Sequence, residues 1–179
     1  MLAVRHDGAP QCRISSFGEL PSASRLKRWL IDPDALPEGD YRRDAGLFFK
    51  SVHGTLNHLL VAEHEIWRRR FAEGLSPRLA LDAEIETDRA RLRERLIDGA
   101  AAWQPLIETW PDDRFDGVLS YTSTQGVAMR LPFAATLTHV FNHGTHHRGQ
   151  ITAALTAMGR ACPELDLVWM LQAESRAAK

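Results

Sequence analysis

Three histidines, His139, His143 and His147, recur every fourth residue within LTHVFNHGTHHRGQI. On an α-helix, side chains four apart stand one above the other. Two imidazoles at that spacing can share one divalent ion, the geometry that helical zinc motifs use. All three cannot, because residues eight apart lie about 12 Å apart along the axis. One pair, 139/143 or 143/147, is therefore expected to bind, with a third ligand from elsewhere. His58, in the apolar half of TLNHLLVAEHEIW, could supply it from an antiparallel helix. Three neutral imidazoles with an open position make a catalytic type of site rather than a closed structural one. A His-x-x-x-His pair also arises by chance, so an incidental cluster on a helical interaction module is a competing reading.

Around these residues the claims are weaker. His53 and His64 share the helix of His58 but are rotated away from it, and exposed positions are expected. His146 is turned from His147. Arg148 could hold an anionic group, and Glu63 and Glu65 could approach the site, although a solvated role suits both as well. His146, Arg148 and Glu65 are the substrate-binding candidates. Gly149 within a helix costs about 1 kcal/mol against Ala, which points to close helix packing there. Trp67 and Trp103 read as core. Cys12 and Cys162 fit neither a metal-ligand spacing nor a disulfide framework, and neither has a context that would make it a nucleophile. No phosphate-binding glycine loop, dinucleotide fingerprint or nucleophile elbow occurs.

The elements that must position these residues follow from hydrophobic period. Residues 1–22 carry Gly8, Pro10, Gly18 and Pro21 and read as irregular. A short Ser-capped helix is predicted over about 23–31, before Pro33 and Pro37. A long helix is predicted from about Asp44 to Phe71, with Phe48, Val52, Leu56, Leu59 and Ile66 on its stripe and Gly74 and Pro77 ending it. A second spans about Asp82 to Thr109, weakened near its end by Gly99 and Pro105. Residues 117–131, GVLSYTSTQGVAMRL, alternate and read as a β-hairpin. Pro132 opens a helix from about Phe133 to Met158, with Gly159 as its stop. The apolar segment Pro163–Gln172 is expected to pack back on the helices. The sum is an all-α fold, a bundle of about four helices with a small β-hairpin before the last and room for one crossover.

With 179 residues and 20.1 kDa, the chain fits one domain. A formal charge of −1, from 22 Lys and Arg against 23 Asp and Glu, argues against nucleic-acid binding by bulk basicity. No apolar run is long enough to span a bilayer, and the N-terminus lacks a signal-peptide core. A reducing cytoplasm is the expected compartment.

Three blocks in order, SVHGTLNHLLVAE (51–63), HVFNHGTHHRGQI (139–151) and PELDLVWML (163–171), resemble the DinB family of bacterial damage-inducible proteins, part of a wider superfamily of metalloenzymes that includes YfiT. The resemblance spans about residues 40–172. It implies a four-helix bundle with a long crossover, a homodimer, and a divalent metal ion (Zn, Ni or Fe). Carried over by position, the ligands are His58, His143 and His147, which leaves His139 and His146 outside the ion's shell. Relatives use the metal to activate a low-molecular-weight thiol such as bacillithiol or mycothiol. The resemblance therefore implies a thiol-dependent S-transferase acting on a small molecule. The alternatives are a hydrolase using metal-activated water and a non-catalytic metal-binding stress-response protein with its fourth position closed by Glu63, Glu65 or His139. One departure is the first helix, where the family has a Tyr-Asn-x-Trp-Ala-Asn-like motif. Only Arg28-Trp29-Leu30 is similar here.

Overall fold

The computed structural model describes residues 36–162, together with Val168, Gln172, Ser175 and Arg176. The region expected to be irregular (1–22), the helix expected over 23–31, Cys12 and nearly all of the closing segment lie outside the described residues.

The fold is a four-helix arrangement with a two-stranded hairpin before its last helix. A short helix, α1 (Glu38–Arg42), buries Tyr41. The long helix α2 has an α-helical start (Val52–Leu59), a π-helical middle (Leu60–Arg68) and an α-helical end (Arg69–Glu73). Then come α3 (Arg89–Ala101) and α4 (Trp103–Glu108), a 3₁₀ turn (Asp112–Asp116), β1 (Val118–Thr122), β2 (Ala128–Pro132) and α5 (Phe133–Ala157). No described helix is long and apolar enough to cross a membrane.

The start of α2 corrects the predicted boundary. The helix begins at Val52 because the Ser51 hydroxyl accepts the Gly54 N–H and caps it. Residues 44–51 instead form a tight turn, in which Leu47 and Lys50 pair and Lys50 has φ of +66°. Phe48, assigned to the apolar stripe, is 81% exposed. Gly54 makes the turn possible, since a Cβ there would collide with the Phe49 carbonyl oxygen. Gly74, with φ of +66°, closes the C-terminal end of α2.

The second predicted helix is shorter and divided. Asp88 caps α3 by accepting from Arg91 N, and residues 83–88 form an extended loop. The break at Ala102 puts Pro105 into the first turn of α4, where its missing N–H is tolerated.

The hairpin forms as its alternation predicts, antiparallel, with Leu119 opposite Leu131 and Tyr121 opposite Met129. Pro132 caps α5, which ends at Ala157 with Gly159 just beyond, at φ of +69°. Two apolar cores hold the bundle. One gathers α1, α2, α3 and α5 around Val52, Leu60, Leu92 and Ile151. The other packs Phe71, Trp103, Phe115 and Phe133 beneath the hairpin, in edge-to-face contacts such as Phe71 against Phe133 at 5.0 Å. Together these cores fix α2 against α5.

Candidate metal centre

The π-helical stretch determines what α2 presents. On an uninterrupted α-helix, the twelve residues from His58 to Arg70 make three and about a third turns, so the two would diverge around the axis. A π turn takes in more residues, so the rotation per residue falls. His58, Ala62, Ile66 and Arg70, spaced by four throughout, accordingly all line one cavity of about 220 Å³. Trp67, Leu81, Tyr121, Ser123, Thr124, His139 and His143 complete its wall.

The imidazoles of His58 and His143, on this wall, converge with that of His147. One nitrogen of each lies within 4.8 Å of the others. His143 Nε2 stands 3.2 Å from His58 Nε2 and 3.1 Å from His147 Nε2. The outer nitrogens fix the tautomers. His58 Nδ1 donates to the Leu81 carbonyl at 2.7 Å, and His147 Nδ1 donates to Gln150 Oε1 at 2.7 Å. Both Nε2 atoms therefore turn a lone pair inward. His143 Nδ1 is buried without a partner among the described residues, and its Nε2 faces both other rings. A single proton on His143 satisfies at most one of these contacts, so at least one pair of lone pairs stays opposed. A divalent cation resolves that conflict, and neutral imidazoles with their outer N–H groups anchored are the donor set such an ion takes.

Burial keeps the three rings neutral. It pulls His58 down to about 4, against a smaller upward pull from the Leu81 carbonyl. His143 falls to about 3, first through burial and then through the neighbouring imidazoles. Burial also lowers His147, partly offset by Gln150.

Three supports of this geometry carry no signal in helical periodicity. Phe49, from the turn before α2, stacks on His58 with ring centres 3.7 Å apart and planes 15° apart, and reaches His147 at 5.6 Å. Asn57, fully buried, donates to Glu86 O and accepts from Glu86 N, both at 3.0 Å. It thereby ties the α2–α3 loop, which carries Leu81, to α2. Gln150 lies one turn beyond His147. An Asn beside a His stands in the sequence, but its burial and its partner, a backbone 29 residues away, do not show there.

The other predicted residues go elsewhere. His139 is exposed, with its ring 5.6 Å from Trp67, and does not join the three converging imidazoles. His146 is exposed, 4.9 Å from the His147 ring. Glu65 pairs with Arg95 at 2.8 Å, and Arg148 donates to Thr145 Oγ1 at 3.0 Å. None of His146, Glu65 and Arg148 lines the cavity. Two expectations of exposure are corrected. His53 is buried between Tyr41 and Asn57, each 3.2 Å from a ring nitrogen. His64 is buried where the missing side chain of Gly99 leaves room for its ring. Both lie on faces of α2 covered by other helices, which periodicity on one helix does not reveal.

Glu63 is also not solvated. Its carboxyl packs where Gly144 lacks a Cβ, and burial pushes it up to about 7 despite the pull of Arg148. Gly144 is thus the glycine of close approach, whereas Gly149 faces open space and carries no packing contact.

The sequence profile of the DinB family matches residues 23–178. The chain belongs to the DinB family. It is 27% identical to Protein DinB of Bacillus subtilis over 135 residues, 73% of this chain and 78% of that protein. Its fold is similar to that of YfiT from Bacillus subtilis, described as a probable metal-dependent hydrolase with an unusual four-helix bundle topology. That match has a TM-score of 0.60 at 15% identity, covering 79% of this chain and 83% of the other. A DinB-like protein from Bacillus cereus matches with a TM-score of 0.55 at 19% identity, over 80% and 90% of the two chains. The profile extends the DinB likeness beyond the three sequence blocks, to residues on either side of the described region.

Proposed function

We propose that this DinB-family chain is a metal-dependent enzyme acting on a small molecule, with one divalent ion held by His58, His143 and His147. The observation that carries the reading is the convergence of three Nε2 atoms, two of them with the opposite nitrogen donated to a fixed oxygen. A bound ion supplies a Lewis acid that makes a thiol or water in its remaining position acidic near neutral pH. The protein's own residues do the rest. Leu81 and Gln150 hold the tautomers, Phe49 shields His58 from water, and α2 and the hairpin wall the cavity where a substrate would sit. No carboxylate joins the imidazoles among the described residues, which favours an open position over a closed storage site.

The resemblance of the His blocks to the family supports a small thiol as nucleophile, in a thiol-dependent S-transfer. A hydrolase using activated water is the second reading, favoured by the description of YfiT. The same resemblance supports a single-domain homodimer in the cytoplasm and a role in stress response. Titrating 2-mercaptoethanol into cobalt-loaded protein tests the first reading. A near-ultraviolet thiolate-to-metal absorption that saturates at one equivalent per site supports it. No such band, together with p-nitrophenyl acetate hydrolysis that rises with metal loading, replaces it by the second.

A further inference from the structure

The cavity wall holds a cation that the imidazole site does not use. Arg70 is only 5% exposed. Its guanidinium carbon sits 4.5 Å from the Trp67 ring centre and 4.3 Å from that of Tyr121. Nη2 donates to the Thr122 carbonyl at 2.9 Å, while Nε is buried with no partner among the described residues. Among the described residues no Asp or Glu is placed to compensate its charge, and burial works against the charged form. A buried cation left uncompensated is costly. Two ring faces offset part of that cost. An apolar strut such as Met would fill the same slot without it. The π-helical turns that bring Arg70 round to the face of His58 also put it on the same cavity as His58 and His143.

We propose that Arg70 binds a carboxylate on the substrate, so that this cavity takes an elongated small molecule with its reacting end at the imidazoles and its anionic end at Arg70. Arg70 is the one Lys or Arg among the described residues that line the cavity, which matches a monoanion rather than a phosphate dianion. Ser123 and Thr124, on the same wall, offer hydroxyls to the second carboxylate oxygen. The Trp67 and Tyr121 faces hold the guanidinium plane in place, so little ordering remains to be done on binding. The placement of the reacting end rests on the metal-dependent reading above. The anionic end does not.

The test is calorimetric titration of the full-length protein as purified with hexanoate and with the neutral isostere hexanamide. The expected result is hexanoate binding at least tenfold tighter than hexanamide, a preference retained after EDTA treatment and lost in Arg70→Gln. Arg70→Lys, which keeps the charge without the fork, should retain part of it. If Arg70→Gln does not fold by circular dichroism, the hexanoate/hexanamide ratio in the parent and in Arg70→Lys decides. Equal binding of the two probes, no hexanoate binding at millimolar concentration, or a preference unchanged in Arg70→Gln overturns the proposal. A preference abolished by EDTA and by His58→Ala but kept in Arg70→Gln places the carboxylate on the metal instead, and also overturns it. Hexanohydroxamate added to zinc-loaded protein tests the metal reading separately. Its failure to bind, with the hexanoate preference intact, would end that reading and leave the Arg70 site standing.

Discussion

Removing the Asn57 side chain isolates the link between the α2–α3 loop and His58. Asn57→Ala deletes the reciprocal pair with Glu86, two bonds of 3.0 Å, and the second amide N–H that His53 takes up through its carbonyl at 3.3 Å and its Nε2 at 3.2 Å. At about 1 kcal/mol net per hydrogen bond, the loss is about 2–3 kcal/mol. For a chain of this size that lowers Tm by about 4–12 °C. The loop then no longer holds the Leu81 carbonyl 2.7 Å from His58 Nδ1. Partners that orient a ligand histidine in this way are worth about 10–100-fold in metal affinity. Thermal melts of the chelator-treated protein read the first effect, and competition against a chromophoric zinc chelator reads the second. Both should appear together. A lowered Tm with unchanged zinc affinity would refute the idea that the loop sets the direction of the His58 lone pair.

Other outcomes follow from the same geometry. His143→Ala or His147→Ala should each abolish stoichiometric metal binding while His146→Ala leaves it intact, read by elemental analysis after desalting; equal loss in all three contradicts the ligand set. Gly144→Ala should destabilise by up to about 2 kcal/mol, because its Cβ meets Glu63 Oε1 and lies 2.7 Å from Arg148 Nη1, crowding that costs about 1–3 kcal/mol and outweighs the gain of about 1 kcal/mol from Ala in a helix. Gly149→Ala, facing open space mid-helix, should instead stabilise by up to about 1 kcal/mol. Urea midpoints that move in the same direction for both glycines would refute the assignment of close approach to Gly144. The pH dependence of stability should carry the mark of Glu63. With a folded-state pKa of about 7 against an ordinary 4.5, the folded chain keeps a proton that the unfolded chain releases. Its contribution is complete below pH 4.5 and lost as the pH rises through about 7. Glu63→Gln should therefore flatten the fall in urea midpoint across that window, and an unchanged slope would count against burial as the cause.

How far the sequence carried this picture depends on the range of the interactions involved. Local signals were readable: the alternation of 117–131, Pro132 before α5 and Gly159 after it. The four-residue spacing on α5 identified the imidazoles that could act together, and the family blocks pointed to His58 among the histidines of α2. Non-local packing was not readable. Nothing in the period of α2 announces π turns, because widening the helix depends on what it packs against, and with it went the alignment of Arg70 with His58. The early start assigned to α2 failed because Phe48 looks like a stripe residue but belongs, with Phe49, to a turn held by Gly54 and Ser51. The burial of His53, Glu63 and His64 depends on neighbouring helices supplying Tyr41, Gly144 and Gly99, and one sequence does not show those juxtapositions.

The central claim is an ion shared between α2 and α5. It is tested most directly by elemental analysis of tag-free protein beside His58→Ala, both confirmed folded by circular dichroism. The account predicts about one equivalent of divalent metal in the parent and none in the variant. A folded parent that carries no metal and takes up neither zinc nor nickel when offered, or a variant that retains a full equivalent, would contradict it.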